Sequence, residues 1–186
     1  MIGLFGGAFN PPHYGHLELA RRALEEFDLG RLDVLVSGDP AHKDVDCPVE
    51  IRVELSTLAF AGLPRTNVDA DPYRYTIDRL RAEPPPDDAI FLMGADQYRD
   101  FPTWKEPEAV LEHVQLGVAA RAGVDRPPLL PGHEGRVRFF EIDSPQIASS
   151  DLRARARRGE PLDGLVPDVV AAEIARRGLY RGPALH

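Results

Sequence analysis

Apolar residues along the chain fall into two recurring patterns: short continuous runs bounded by turn residues, and longer stretches spaced at three and four. Ile2–Phe5 is the first run and stops at Gly6-Gly7, which predicts a buried strand emptying into a loop. After Pro11-Pro12, the apolar positions Leu17, Ala20, Ala23, Leu24 and Phe27 have helical spacing, and a proline in the first turn suits a helix start. Leu32–Val36 predicts a second strand, Ser37–Pro48 is rich in turn residues, and Ile51, Leu55, Leu58 and Ala59 mark a second helix. A short strand around Val68 and a short helix over Tyr75–Arg81 follow, the latter closed by Pro84-Pro85-Pro86. Ala89–Met93 is a strongly apolar strand running into Gly94-Ala95-Asp96. Beyond it the pattern predicts a helix over Glu106–His113, a strand over Val114–Ala120 and a surface loop over Arg121–Gly135. A last strand, Val137–Ile142, precedes closing helices at Ser150–Arg158 and Asp168–Arg177.

This β-α-β-α rhythm predicts an α/β fold, a Rossmann-like doubly wound parallel sheet with helices on both faces. Residues 1–186 are expected to form one domain, with a C-terminal helical part over about residues 147–180. A chain of that length buries roughly 70% of its unfolded surface and needs no staples. In such sheets ligands bind beyond the C-terminal strand ends, where strand order reverses. The exit of the first strand is therefore the place to look for chemistry.

Composition narrows the partners. Hydrophobic residues make up 43% and charged residues 28%, ordinary for a globular protein. Asp+Glu is 30 against Lys+Arg 22, a formal net charge of −8, which argues against non-specific binding to nucleic acid or to anionic lipid. A small anionic substrate stays open, because a few local cations overcome a negative background. The single cysteine, Cys47, excludes an internal disulfide and the cysteine-rich zinc sites. No apolar run approaches a membrane span, the N-terminus does not read as a signal peptide, and the cytoplasm is the expected compartment. A homo-oligomer is compatible with the sequence, which specifies no oligomeric state.

The densest chemistry is Gly6-Gly7-Ala8-Phe9-Asn10-Pro11-Pro12-His13-Tyr14-Gly15-His16. Adjacent glycines let backbone N–H groups approach a ligand, and a following helix start adds positive partial charge, so the segment suits phosphate. His13 and His16, three apart, share one helix face and can both donate to a polyphosphate. Each part alone has a plainer reading: a glycine turn is often only a tight connection. The glycines lack the G-x-G-x-x-G spacing of dinucleotide sites, no Gly-Lys-Ser/Thr follows, and no third metal ligand stands at a recognised spacing.

The segment resembles the G-G-x-F-x-P-x-H-x-G-H signature of the HxGH nucleotidyltransferases. Further landmarks resemble the bacterial nicotinate-nucleotide adenylyltransferase family across essentially the whole chain. Pro40-Ala41-His42-Lys43 is similar to its P-P-H-K, with alanine for one proline, and Tyr75-Thr76-Ile77-Asp78 to its Y-T-x-D. Met93-Gly94-Ala95-Asp96 resembles its G-A-D-N, with Gln97 in place of asparagine, and Trp104-Lys105 follows. Ile147–Arg153 resembles I-S-S-T-x-I-R, with Ala148 and Ser150 as departures, and Val166-Pro167 and Leu179-Tyr180 match the C-terminal landmarks.

The resemblance implies adenylyl transfer from ATP to nicotinate mononucleotide, with Mg²⁺ carried by the phosphates and water and no protein metal ligand. It implies that His16 meets the α-phosphate, that His13 and Lys43 hold the triphosphate, and that Ser149, Ser150 and Arg153 bind its β- and γ-phosphates. Gly6, Gly7, Ala8, Phe9, Gly94 and Asp96 complete the implied ATP site, Asp96 either accepting from a ribose hydroxyl or capping a helix. For the mononucleotide it implies Thr76 and amides near Trp104 for the carboxylate, and Arg121 near the phosphate. The Trp104 ring can stack on the pyridine or belong to the core. Adenylyl or cytidylyl transfer to another phosphate acceptor, such as the amide mononucleotide or phosphopantetheine, is the nearest alternative. A nucleotide-binding regulator with a dead site and a nicotinamide-dependent oxidoreductase are the alternatives from other classes.

Overall fold

Because a parallel sheet is covered by helices on both faces, its central strands read as continuous apolar runs rather than alternating ones. A computed structural model describes residues 1–40, 45, 47–123 and 126–181 and bears this out. Its strands are β1 (Ile2–Gly7), β2 (Arg31–Ser37), β3 (Thr66–Asp71), β4 (Ala89–Gly94), β5 (Gln115–Arg121) and β6 (Val137–Ile142). All pair in parallel, in the order β3-β2-β1-β4-β5-β6.

Neighbouring strand residues feed opposite cores. Phe5, Val34 and Leu92 face one, joined by helices α1 (Tyr14–Glu26), α2 (Val49–Phe60), α6 (Ser149–Arg157) and α7 (Asp168–Arg177). Leu4, Leu35 and Phe91 face the other, under α3 (Thr76–Ala82), α4 (Ala95–Asp100) and α5 (Pro107–His113). A 3₁₀ turn, Phe101–Thr103, joins α4 to the loop before α5. The chain winds outward from β1 to β3 and returns to β4 on the other side of β1. The order therefore reverses between β1 and β4, and Gly6-Gly7 and Gly94 stand at that crevice.

The doubly wound sheet expected from the rhythm of the chain is thus present, with local differences. Pro11-Pro12 lie before α1 rather than in its first turn, because His13 is the N-cap. The strand around Val68 runs the length of β3, an edge strand whose polar TNVDAD sequence hides it from a hydrophobic scan. The α6 helix starts one residue early, at Ser149, with Ala148 as N-cap. The segment after β5 is more than a surface loop: Leu130 N–H donates to the Tyr98 hydroxyl, which shares a hydrogen bond with Nδ1 of His133. His133 is 6% exposed and packs edge-on against Phe101.

Candidate active site

After β1 the backbone turns sharply at Phe9, whose φ of 45° places a bulky residue in the left-handed region. Such strain persists only where surroundings over-determine it. The Phe9 ring is buried edge-on against Phe5 and Phe60, at 5.2 and 5.8 Å, and against His16 at 4.9 Å. Side chains grip the carbonyls on either side of it. Nη1 of Arg52 donates to Ala8 O at 2.8 Å, Nη1 of Arg153 to Asn10 O at 2.9 Å, and Oγ of Ser149 to Pro11 O at 3.0 Å.

At the N-terminus of α1 the two histidines form a reciprocal cap. Gly15 N–H donates to Nδ1 of His13 at 3.1 Å, and His13 N–H donates to Nδ1 of His16 at 3.2 Å. The rings stack with centroids 3.7 Å apart. With Nδ1 accepting in both, each neutral ring carries its hydrogen on Nε2, as a donor. Gly15 makes this possible: a Cβ there would meet Cε1 and Nδ1 of His13 at 3.0 Å.

Two cavities open at the crevice. The larger, about 640 Å³, is lined by His13, His16, Asp96, Arg121, Ser149 and Arg153, among others. The smaller, about 380 Å³, lies toward Tyr75, Thr76, Trp104 and Lys105. Gly6, Gly7, Ala8 and Gln97 line both, so the glycine loop is the shared wall.

Gly94, Phe9 and the exposed Ser150 also fall on the larger cavity. Neither serine caps α6 through its side chain, because Ser149 Oγ is committed to Pro11 O. Asp96 is not the cap of α4 either: Gly94 holds that position, its N–H donating to Oε1 of Gln97 at 3.2 Å. The Asp96 side chain is 87% exposed and pairs with Arg99 at 2.5 Å. Arg121, expected beside the mononucleotide, lines the larger cavity and not the one holding Trp104. Lys43 lies outside the described residues.

In the smaller cavity Trp104 is half-buried, edge-on to Phe91 at 6.0 Å and tilted against Phe101 at 5.3 Å. Its own N–H already donates to Phe101 O, which removes that amide from the donors expected for a carboxylate. Thr76 opens α3 beside it. Cationic groups reach this wall in ion pairs: Arg79 with Asp71 at 3.4 Å and Lys105 with Asp78 at 2.7 Å. Burial pushes the Asp71 carboxyl up, against the opposing pull of Tyr73 N–H and Arg79.

The sequence profile of the cytidylyltransferase-like family matches residues 4–155. A protein of Thermus thermophilus named "Probable nicotinate-nucleotide adenylyltransferase" is 38% identical over 190 residues, covering 97% of this chain and 99% of its own. One of that name from Thermomicrobium roseum is 37% identical over 195 residues, covering 97% and 91%. The chain belongs to the nicotinate-nucleotide adenylyltransferase family. Its fold is also that of Plasmodium falciparum nicotinic acid mononucleotide adenylyltransferase complexed with NaAD, at TM-score 0.81, 16% identity and 96% coverage of both chains.

Two residues of this family member escape a reading by motif. Arg52, 1% exposed, lies on the buried stripe of α2 with Leu55, Ser56 and Ala59, so extending that stripe one turn back finds it. His133 sits in a loop without periodicity, and no pattern in the sequence marks it.

Proposed function

We propose that the protein transfers the adenylyl group of ATP to nicotinate mononucleotide, forming nicotinate adenine dinucleotide and pyrophosphate. A phosphate oxygen of the mononucleotide attacks the α-phosphorus, and the bond from that phosphorus to the bridging oxygen of the β-phosphate breaks. The leaving pyrophosphate takes the bonding electrons. The attacking oxygen is anionic near neutral pH, so positioning and charge neutralisation supply the catalysis.

The observation that carries this reading is the pair of cavities meeting over Gly6-Gly7-Ala8. One offers imidazole, hydroxyl and guanidinium donors for a triphosphate, and the other an aromatic wall and cations for an acidic pyridine. His13 and His16 present Nε2–H donors to charge developing on the α-phosphate and leaving group, while Ser150 and Arg153 hold the outer phosphates. Arg121 serves the nucleotide phosphates from the same side. Thr76 donates to the carboxylate and Trp104 stacks on the ring.

A divalent cation, in our reading Mg²⁺, enters with the triphosphate and neutralises part of its charge. Asp96 is the sole carboxylate among the described residues lining the larger cavity, and it pairs with Arg99. The cavity's donors suit the anion, and the phosphates and water supply the cation's ligands. We place the reaction in the cytoplasm; among the described residues no helix is long and apolar enough to cross a membrane.

Pyrophosphate release measured with ATP and, in turn, nicotinate mononucleotide, nicotinamide mononucleotide and phosphopantetheine tests the reading. Turnover fastest with nicotinate mononucleotide supports it. Faster turnover with another acceptor replaces the substrate, and none with any acceptor refutes the reaction.

A further inference from the structure

We infer that Arg52 is a positioning residue for phosphate transfer: one buried guanidinium ties the glycine loop after β1 to the end of β2 and to the residue before the α2 cap. The inference rests on the proposed adenylyl transfer and adds to it a residue that lines neither cavity.

Arg52 stands in the first turn of α2, its N–H donating to Pro48 O. Nε donates to Cys47 O at 2.9 Å, and Nη1 donates to Ser37 O at 2.7 Å and to Ala8 O at 2.8 Å. Ser37 ends β2 and Cys47 lies just before α2, so one side chain holds the chain at both of these positions. Burial pushes the pKa of this guanidinium down, against the attraction of Cys47, Tyr180 and Glu50. A buried cation whose side-chain hydrogen bonds go to carbonyl oxygens is a costly way to fill a core. A methionine would occupy similar space without that cost. What the arginine adds is a planar fork that meets three carbonyls from three chain segments at once.

The consequence for the site follows from peptide geometry. A trans peptide points its C=O and N–H in opposite directions. Turning Ala8 C=O toward Arg52 therefore turns Phe9 N–H away from α2, and Ala8 and Phe9 both line the larger cavity. Arg153 and Ser149 grip the same loop at Asn10 and Pro11, but they also face that cavity. Arg52 does not, so its effect on substrates passes through the backbone.

Arg52→Lys keeps the charge and loses the fork; Arg52→Met loses both. In the folded variants kcat should fall about 10- to 100-fold, the scale of a displacement near 1 Å at a reacting group. The KM for ATP should rise at least about fivefold, and because Ala8 and Ser37 also line the smaller cavity the KM for the mononucleotide should rise with it. Should Arg52→Met fail to fold, Arg52→Lys carries the test. Calorimetric titration with ATP and Mg²⁺ adds a readout that needs no turnover, so an inactive parent protein counts against the reaction rather than against Arg52. A fall in melting temperature with unchanged kcat and ATP affinity overturns the inference.

Discussion

The imidazoles of His13 and His16 lie stacked with centroids 3.7 Å apart, and the second accepts the backbone N–H of the first. Each ring thereby serves the cap of α1 and also lines the larger cavity. The cap uses Nδ1 and leaves Nε2 for the proposed phosphate contact, so the helix start would preset which ring edge faces the ligand. The glycine between them suits this arrangement, because a Cβ there would press on the His13 ring at 3.0 Å.

Gly15→Ala tests that fit. Alanine is favoured over glycine inside a helix by up to about 1 kcal/mol, so helix propensity alone predicts a more stable protein. The contact at 3.0 Å requires His13 to shift by a few tenths of an ångström. We expect a melting temperature at or near that of the parent with kcat lowered about tenfold, since small displacements of positioned groups are expensive in rate. A variant as active as the parent would show that the His13 ring position is not critical.

His16→Ala should cost more. Removing one donor preorganised for transition-state charge lowers kcat by about 10²–10³-fold. Loss of its cap on His13 N–H adds roughly 1 kcal/mol of destabilisation. Kinetics and thermal unfolding on the same preparation separate the two effects. Near-normal kcat in the folded variant would end the role assigned to His16.

These histidines were legible in the sequence because spacing and residue chemistry are local properties. The strand before them and the helix after them each carry a clear period. What was hidden depends on tertiary contacts. The commitment of Ser149 to Pro11 O, the cavity that Arg121 faces and the use of the Trp104 amide by Phe101 all involve partners that the local pattern does not display. Arg52 is intermediate: it continues the buried stripe of α2, but a charge on that stripe reads as an end to it. The edge strand β3 was faint because half of its residues face solvent.

Tyr98→Phe addresses the segment after β5, tied to α4 through Leu130 and His133. The phenol oxygen accepts from Leu130 N–H and bonds Nδ1 of His133, and its ring is buried against Phe139. Phenylalanine keeps the ring and strands two polar groups, which should cost about 1–3 kcal/mol. Hydrogen exchange should quicken at residues 128–136 ahead of global unfolding, with little change in α1. Uniform quickening would mean that the pair supports the whole fold rather than the loop.

The acid mononucleotide should be preferred over the amide by at least about tenfold in kcat/KM, about 1.4 kcal/mol. Thr76, Arg79 and Lys105 border the smaller cavity, and a carboxylate accepts from such donors with charge assistance. The amide would turn an NH₂ toward a donor and leave one of them unmatched. Steady-state kinetics with both mononucleotides at saturating ATP checks this. Equal values would remove the substrate preference and leave the transfer reaction standing.

Trp104→Ala distinguishes a stacking platform from a core residue. The indole is half-buried, fixed by Phe91 and Phe101 on one side, and open to the smaller cavity on another. It does not line the larger cavity assigned to ATP. If the ring stacks on the pyridine, truncation should cost roughly 1–3 kcal/mol of mononucleotide binding, the range for base–aromatic stacking. That corresponds to a mononucleotide KM raised about 5- to 150-fold, with the KM for ATP within a few-fold of the parent. A core role predicts another signature, a loss of roughly 3–5 kcal/mol in stability without substrate selectivity. Its partial exposure favours the first outcome, because a side chain still open on one face forfeits less packing when removed. Trp104→Phe sharpens the contrast: a smaller ring that still stacks should recover most of the mononucleotide affinity. Affinity lost equally in Trp104→Phe and Trp104→Ala, with a falling melting temperature, would return the residue to the core.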